Sequence, residues 1–176
     1  IKIKYIEIIR IFMLEINQNL YYCIIKGRGV LWMIKLIYGE QGTGKTRALV
    51  ERANAMAQGD YGNIVFIEDS KQSMYDLVHE VRFINILEFP ISNEDGFIGF
   101  ICGIIAQNYD TKGIFIDGLN YILKKDVQHL ESFFSKLNEI AKKYEVEFNI
   151  ALNGNWNAVP DFLNGYVLEK PDVSKC

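Results

Sequence analysis

"IYGEQGTGKTRAL", residues 37–49, sets Lys45 where an apolar run stops and a helical pattern starts. A helix begins with N–H groups that have no partner inside it, so that end already carries partial positive charge. A lysine there is locally unfavourable unless something anionic sits beside it. Glycines at 39, 42 and 44 let the preceding loop curl until successive N–H groups converge on one point.

Gly39-Glu40-Gln41-Gly42-Thr43-Gly44-Lys45-Thr46 matches G-x-x-x-x-G-K-[ST], the P-loop or Walker A pattern. The charge is explained if a polyphosphate occupies the helix start. Lys45 then reaches the β and γ phosphates, and the Thr46 hydroxyl coordinates Mg2+. Nucleotide contacts are expected from Gly39, Glu40, Gln41, Gly42, Thr43, Gly44, Lys45, Thr46 and Arg47. A bare glycine turn is the alternative, but the strand before and the helix after argue for the nucleotide. "GIFID" (113–117) ends an apolar strand on Asp117, the Walker B pattern, where a carboxylate would hold the metal through water beside Thr46. The plainer reading of Asp117 is a cap on the next turn, with Gly118 supplying flexibility. No N-K-x-D motif follows, so ATP is expected rather than GTP.

Working outward, strands alternate with helices. "MIKLIY" (33–38) is a strand, and a helix runs from about Gly44 to Gln58 with Leu49, Ala53 and Met56 on one face. "NIVFIE" (63–68) and "VRFINIL" (81–87) are further strands, separated by a short helix or irregular connection. Ser92 with Asp95 forms a capping box for an apolar helix to about Asn108. "GIFID" shows no alternation, which predicts burial on both faces. A long helix follows from Asp126 to Tyr144, with an apolar stripe of Val127, Leu130, Phe134, Leu137, Ala141 and Tyr144. "EFNIAL" (147–152) is the fifth strand, and Pro160 starts a short helix. This alternation predicts an α/β fold: a mainly parallel five-stranded sheet with helices on both faces and ligands at the carboxyl ends of its strands.

Composition excludes several function classes. The chain has 176 residues, 49% of them apolar and 23% charged, with a net charge of −3 and no run of like charges. That leaves no footprint for nucleic acid or an anionic membrane. Cys23, Cys102 and Cys176 lie far apart and read as free thiols in a reducing cytoplasm. "FIGFICGIIA" (97–106) is too short to cross a membrane and reads as a tightly packed buried helix. Residues 1–32 follow neither period. They are expected either to be translated upstream sequence before a start at Met33, or an extra element covering a sheet edge. The NTPase domain is expected over 33–166, with a polar tail over 167–176.

Glu68 ends the strand after the P-loop helix, and an edge strand, a capped helix and the Walker B strand follow. In that layout the chain resembles the RecA-like branch of P-loop ATPases, over residues 33 to about 165. Within it, the chain is most similar to small stand-alone P-loop proteins of low-GC bacteria, often labelled twitching-motility ATPases. That label is not carried over, since the acidic and histidine boxes of pilus-retraction ATPases have no match in this sequence.

The resemblance implies a three-layer α/β/α fold with strand order 3-2-4-5-1. It also implies that Glu68 polarises the attacking water, with Asp69 beside it as the rival. Asn153, at the end of the fifth strand, would sense the γ-phosphate or simply form a turn. Trp156 either stacks on the base or packs in the core. The expected activity is a slow Mg-ATP hydrolase or nucleotide switch, acting with an unknown protein partner or by self-association. A charge-neutralising arginine is wanted, with Arg47, Arg52 and Arg82 as candidates. The alternatives are a nucleoside-type kinase or a non-hydrolysing ATP-binding module.

Overall fold

A computed structural model describes residues 33–59, 62–91 and 93–170. The expectations about residues 1–32 and about the end of the tail lie outside them.

The first strand, β1 (Ile34–Gly39), runs straight into the glycine loop and then α1 (Lys45–Gln58). After β2 (Asn63–Glu68), a 3-10 turn at Ser73–Tyr75 leads to β3 (Val81–Asn85), which stops earlier than the apolar run suggests. Ile86–Glu88 turn away as a 3-10 segment, with the Asn85 side chain accepting from the Leu87 N–H. Next come α2 (Glu94–Gln107), β4 (Thr111–Ile116) and an unforeseen short helix, α3 (Leu119–Leu123). The chain continues through α4 (Glu131–Tyr144), β5 (Glu147–Asn153) and β6 (Val167–Glu169).

All pairings are parallel, in the order β3-β2-β4-β5-β1-β6. The expected order 3-2-4-5-1 holds, and a sixth strand is added outside β1. Because β6 pairs with Lys35–Ile37, residues 167–169 belong to the domain rather than to a polar tail. Three residues are too few to carry a strand period, which is why the sequence hid them.

The sheet separates two cores. On one face α1 sets Leu49, Val50 and Ala53 against Ile37, Ile64, Phe66, Phe115 and Ala151. On the other, Phe97 and Ile101 of α2 and Phe133, Phe134 and Leu137 of α4 cover Leu36, Val65, Ile114, Phe148 and Ile150. Each fully buried Leu, Ile or Phe among them contributes about 1.5–3 kcal/mol. These layers, with the glycine loop between β1 and α1, form the expected three-layer α/β/α arrangement.

Three local expectations need correction. The cap of α2 is Asn93, whose side chain accepts from the Gly96 N–H at 2.7 Å. The cap stands one residue later than the expected Ser92, and glycine at position 96 leaves no reciprocal half of a capping box; Ser92 itself lies outside the described residues. Nor is α2 buried all round, because Gly99 and Gly103 face outward with nothing within 4 Å of an added Cβ. The helix is apolar beyond what its one packed face requires. Finally, the stripe from Val127 to Tyr144 is not one helix. Val127–His129 form a 3-10 turn, and Leu130 (φ −99°, ψ 4°) breaks the path before α4 begins. The stripe residues Val127, Leu130, Phe134, Leu137 and Ala141 are nevertheless all buried, while Tyr144 is half-buried.

Candidate nucleotide site

The carboxyl ends of β1, β2, β4 and β5 meet at one place. Gly39 lies opposite Asn153 in the β1–β5 register, and the Gly154 N–H donates to the Gly39 carbonyl at 3.1 Å. On the other side, the Asp117 N–H donates to the Ile67 carbonyl at 2.9 Å, continuing the β2–β4 ladder to the strand tips. The glycine loop crosses above these ends. Gly42 (φ 78°) and Gly44 (φ 82°) both adopt the left-handed conformation that other residues resist. Thr43 Oγ1 donates to the Glu40 carbonyl at 2.7 Å and helps close the curl.

A cleft of about 440 Å³ opens there, lined by Gln41, Gly42, Gly44, Lys45, Thr46, Glu68, Asp69, Ser70, Gln72, Asp117, Gly118, Tyr121, Ala151 and Asn153. Every chemistry-bearing residue singled out in the sequence around this centre therefore lines one space: Lys45, Thr46, Glu68, Asp69, Asp117 and Asn153. Gly39, Glu40, Thr43 and Arg47 shape its surroundings but are not among its walls. Gly39 is buried at the end of β1. Arg47 reaches Glu51 at 3.0 Å, one turn along α1, and lines an adjoining cavity with Gln72 and Asp76.

Thr46 Oγ1 donates to Asp117 Oδ2 at 2.6 Å. This pair joins the first turn of α1 to the tip of β4. It offers hard oxygen donors of the kind Mg2+ prefers, next to the left-handed glycine loop at the start of α1. The residues therefore fit a magnesium-bound polyphosphate. Burial pushes the Asp117 carboxyl up, aided by the nearby charges of Glu68 and Asp69 and opposed by the Thr46 hydrogen bond. A cation beside it would offset that cost. Lys45 is nearly buried, at 7% exposure, and burial lowers its pKa while Asp117 opposes the shift.

Glu68 and Asp69 differ in setting. Glu68 is buried, and its carboxylate accepts from Ser73, by N–H at 3.2 Å and Oγ at 3.1 Å. Asp69 is half-buried, with its carboxyl pushed up mainly by burial, and lies close to Gly118.

Two of the arginine candidates are engaged elsewhere. Arg52 donates to Asn149 Oδ1 at 3.1 Å and pairs with Glu169, pinning α1 to β5 and β6. Arg82 donates to Gln107 at 2.8 Å. Trp156 packs edge-on against Tyr38, with ring centroids 5.3 Å apart, and does not line the cleft. Sequence reading missed Ser73, Gln72 and Tyr121, which lie in irregular or very short elements and share no period or motif. Asn120 was missed as well; its Oδ1 accepts from the Asn153 N–H at 3.0 Å and ties α3 to the end of β5.

No protein-family model matches the chain, and no curated protein matches it. Among solved structures it is similar to the flagellar accessory protein FlaH from Methanocaldococcus jannaschii. That likeness has 15% identity and a TM-score of 0.47, covering 78% of this chain and 70% of that one.

Proposed function

We propose that the chain is a small RecA-like P-loop ATPase or ATP-driven switch that binds Mg-ATP in this cleft and hydrolyses it slowly. One observation carries the reading: the 2.6 Å contact between Thr46 and Asp117, made across 71 positions of sequence, beneath a left-handed glycine loop. Lys45, Thr46 and the loop amides would hold the phosphates and Asp117 the magnesium. Glu68 would orient the attacking water, a task that suits a carboxylate. Asn153 would touch the γ-phosphate.

Lys45 is the single cationic side chain lining the cleft among the described residues. Three carboxylates, Glu68, Asp69 and Asp117, line the same cleft, so added positive charge from a partner protein or a second copy would assist turnover. A reducing cytoplasm suits Cys102, a free thiol.

A second reading, a kinase acting on a small polar acceptor, draws on a neighbouring cavity of about 390 Å³. Asn120, Gln128 and Asn155 line it, and it shares Tyr121 and Asn153 with the cleft.

Incubation with Mg-ATP separates the readings. Phosphate release from protein and ATP alone, abolished in Lys45→Ala, supports the hydrolase. Release of product only when a nucleoside is added supports the kinase. Tight binding with no turnover in any mixture leaves a binding module and overturns hydrolysis.

A further inference from the structure

The turn after β2 inverts the usual sorting of side chains. Ser73 is 3% exposed, whereas Met74 and Tyr75 beside it are 45% and 85% exposed. A turn selected for burial alone would place its serine outward and its apolar residues inward. Ser73 instead faces a buried carboxylate. It opens the 3-10 turn Ser73–Tyr75, so its N–H has no partner within that turn. That N–H donates to Glu68 Oε2 at 3.2 Å, and Ser73 Oγ donates to Glu68 Oε1 at 3.1 Å.

We propose that Ser73 is a positioning residue for the reaction in the P-loop cleft, holding the Glu68 carboxylate in the one orientation from which it can direct a water. This rests on the reading of Glu68 as the water-orienting group. A glutamate at a strand end has three rotatable bonds, and Glu68 shares its cleft with two further carboxylates. Asp69 and Asp117 repel it, so the side chain needs a partner to stay in place. One residue bonding both oxygens fixes the rotamer and the tilt of the carboxylate plane together. Each carboxylate oxygen has two acceptor sites, so both bonds leave one free for water. Any residue but proline at position 73 could supply the N–H. The Oγ bond is what serine adds.

The test is phosphate release under single-turnover conditions, with Mg-ATP affinity measured by calorimetry on the same samples. Ser73→Ala should slow release on the order of tenfold, as misplacement of a reacting group does, with affinity unchanged. Ser73→Thr, which keeps the hydroxyl, should restore most of the rate. Ser73→Cys is the second variant if alanine impairs folding: it fills the space but donates weakly, and should be slow as well. In a Glu68→Gln background, Ser73→Ala should have no further effect. The proposal falls alone if Glu68→Gln is slow while Ser73→Ala and Ser73→Cys run at the wild-type rate, or if the two losses multiply. A wild-type rate in Glu68→Gln, or no release from the wild-type protein, overturns the reading of Glu68 and this proposal with it.

Discussion

Lys45 Nζ donates to the carbonyl of Glu40 at 2.6 Å, so the ammonium folds back across its own loop. The contact holds the charge over the curl, where phosphate oxygens would gather. An ammonium has three donors, and one backbone carbonyl uses only one of them. Removing it should therefore cost more in binding than in folding. Lys45→Ala loses charge-assisted bonds worth roughly 1.5–3 kcal/mol each. Affinity for Mg-ATP should fall about tenfold to a hundredfold or more, read by calorimetry. Equal affinities would reduce the glycine loop to a turn.

Asp117 should show the opposite balance. Its carboxyl, raised by burial, keeps a proton in the fold at a pH where the unfolded chain has lost it. Stability is therefore lost as pH rises above the ordinary carboxylate range. Asp117→Asn removes that cost and leaves Thr46 an acceptor. At neutral pH the variant should melt higher than the wild type, and the gain should shrink as pH falls toward about 4, the ordinary carboxylate value. The same variant should bind Mg-ATP more weakly. A lower melting point at neutral pH would show that the carboxylate stabilises the fold.

Gly154 lies under the Tyr38 ring, and a Cβ there would collide with the phenol oxygen and Cζ. Tyr38 is buried and packed against Trp156, so it cannot swing aside cheaply. Gly154→Ala should cost about 1–3 kcal/mol or more and lower the melting temperature by several degrees. Gly113→Ala is the control. Its nearest neighbour is the thioether of Met56 at 2.9 Å, a flexible side chain, and the loss should be smaller. Equal losses at the two sites would contradict the packing described.

Arg52 should matter for folding and not for nucleotide. Arg52→Ala strips the buried Asn149 Oδ1 of its donor and frees Glu169 of β6, at a cost of roughly 1–3 kcal/mol. Thermal melts should drop while Mg-ATP affinity stays within about twofold, since no phosphate contact is lost. A large fall in affinity at unchanged stability would return Arg52 to the site.

The glycine loop, the Asp117 strand tip and the five strands themselves were legible because each depends on chemistry within a few residues of itself, whereas the order of the strands came only from the resemblance. Left-handed turns need glycine, a polyphosphate needs a helix start, and strands buried on both faces read as unbroken apolar runs. Burial of Val127, Leu130 and Phe134 followed from periodicity even though their path is not one helix. What stayed hidden depends on partners far along the chain. The third residue of the Ser73 turn, Tyr75, looks like any buried aromatic until the fold leaves it outside. Arg52 looks free to reach a phosphate until β6 delivers Glu169 to it, 117 positions later. Local sequence carries propensity and spacing, so it determines elements and motifs. Which charge meets which, and which side chain is turned inward, is decided only when the sheet closes and distant segments compete for the same space.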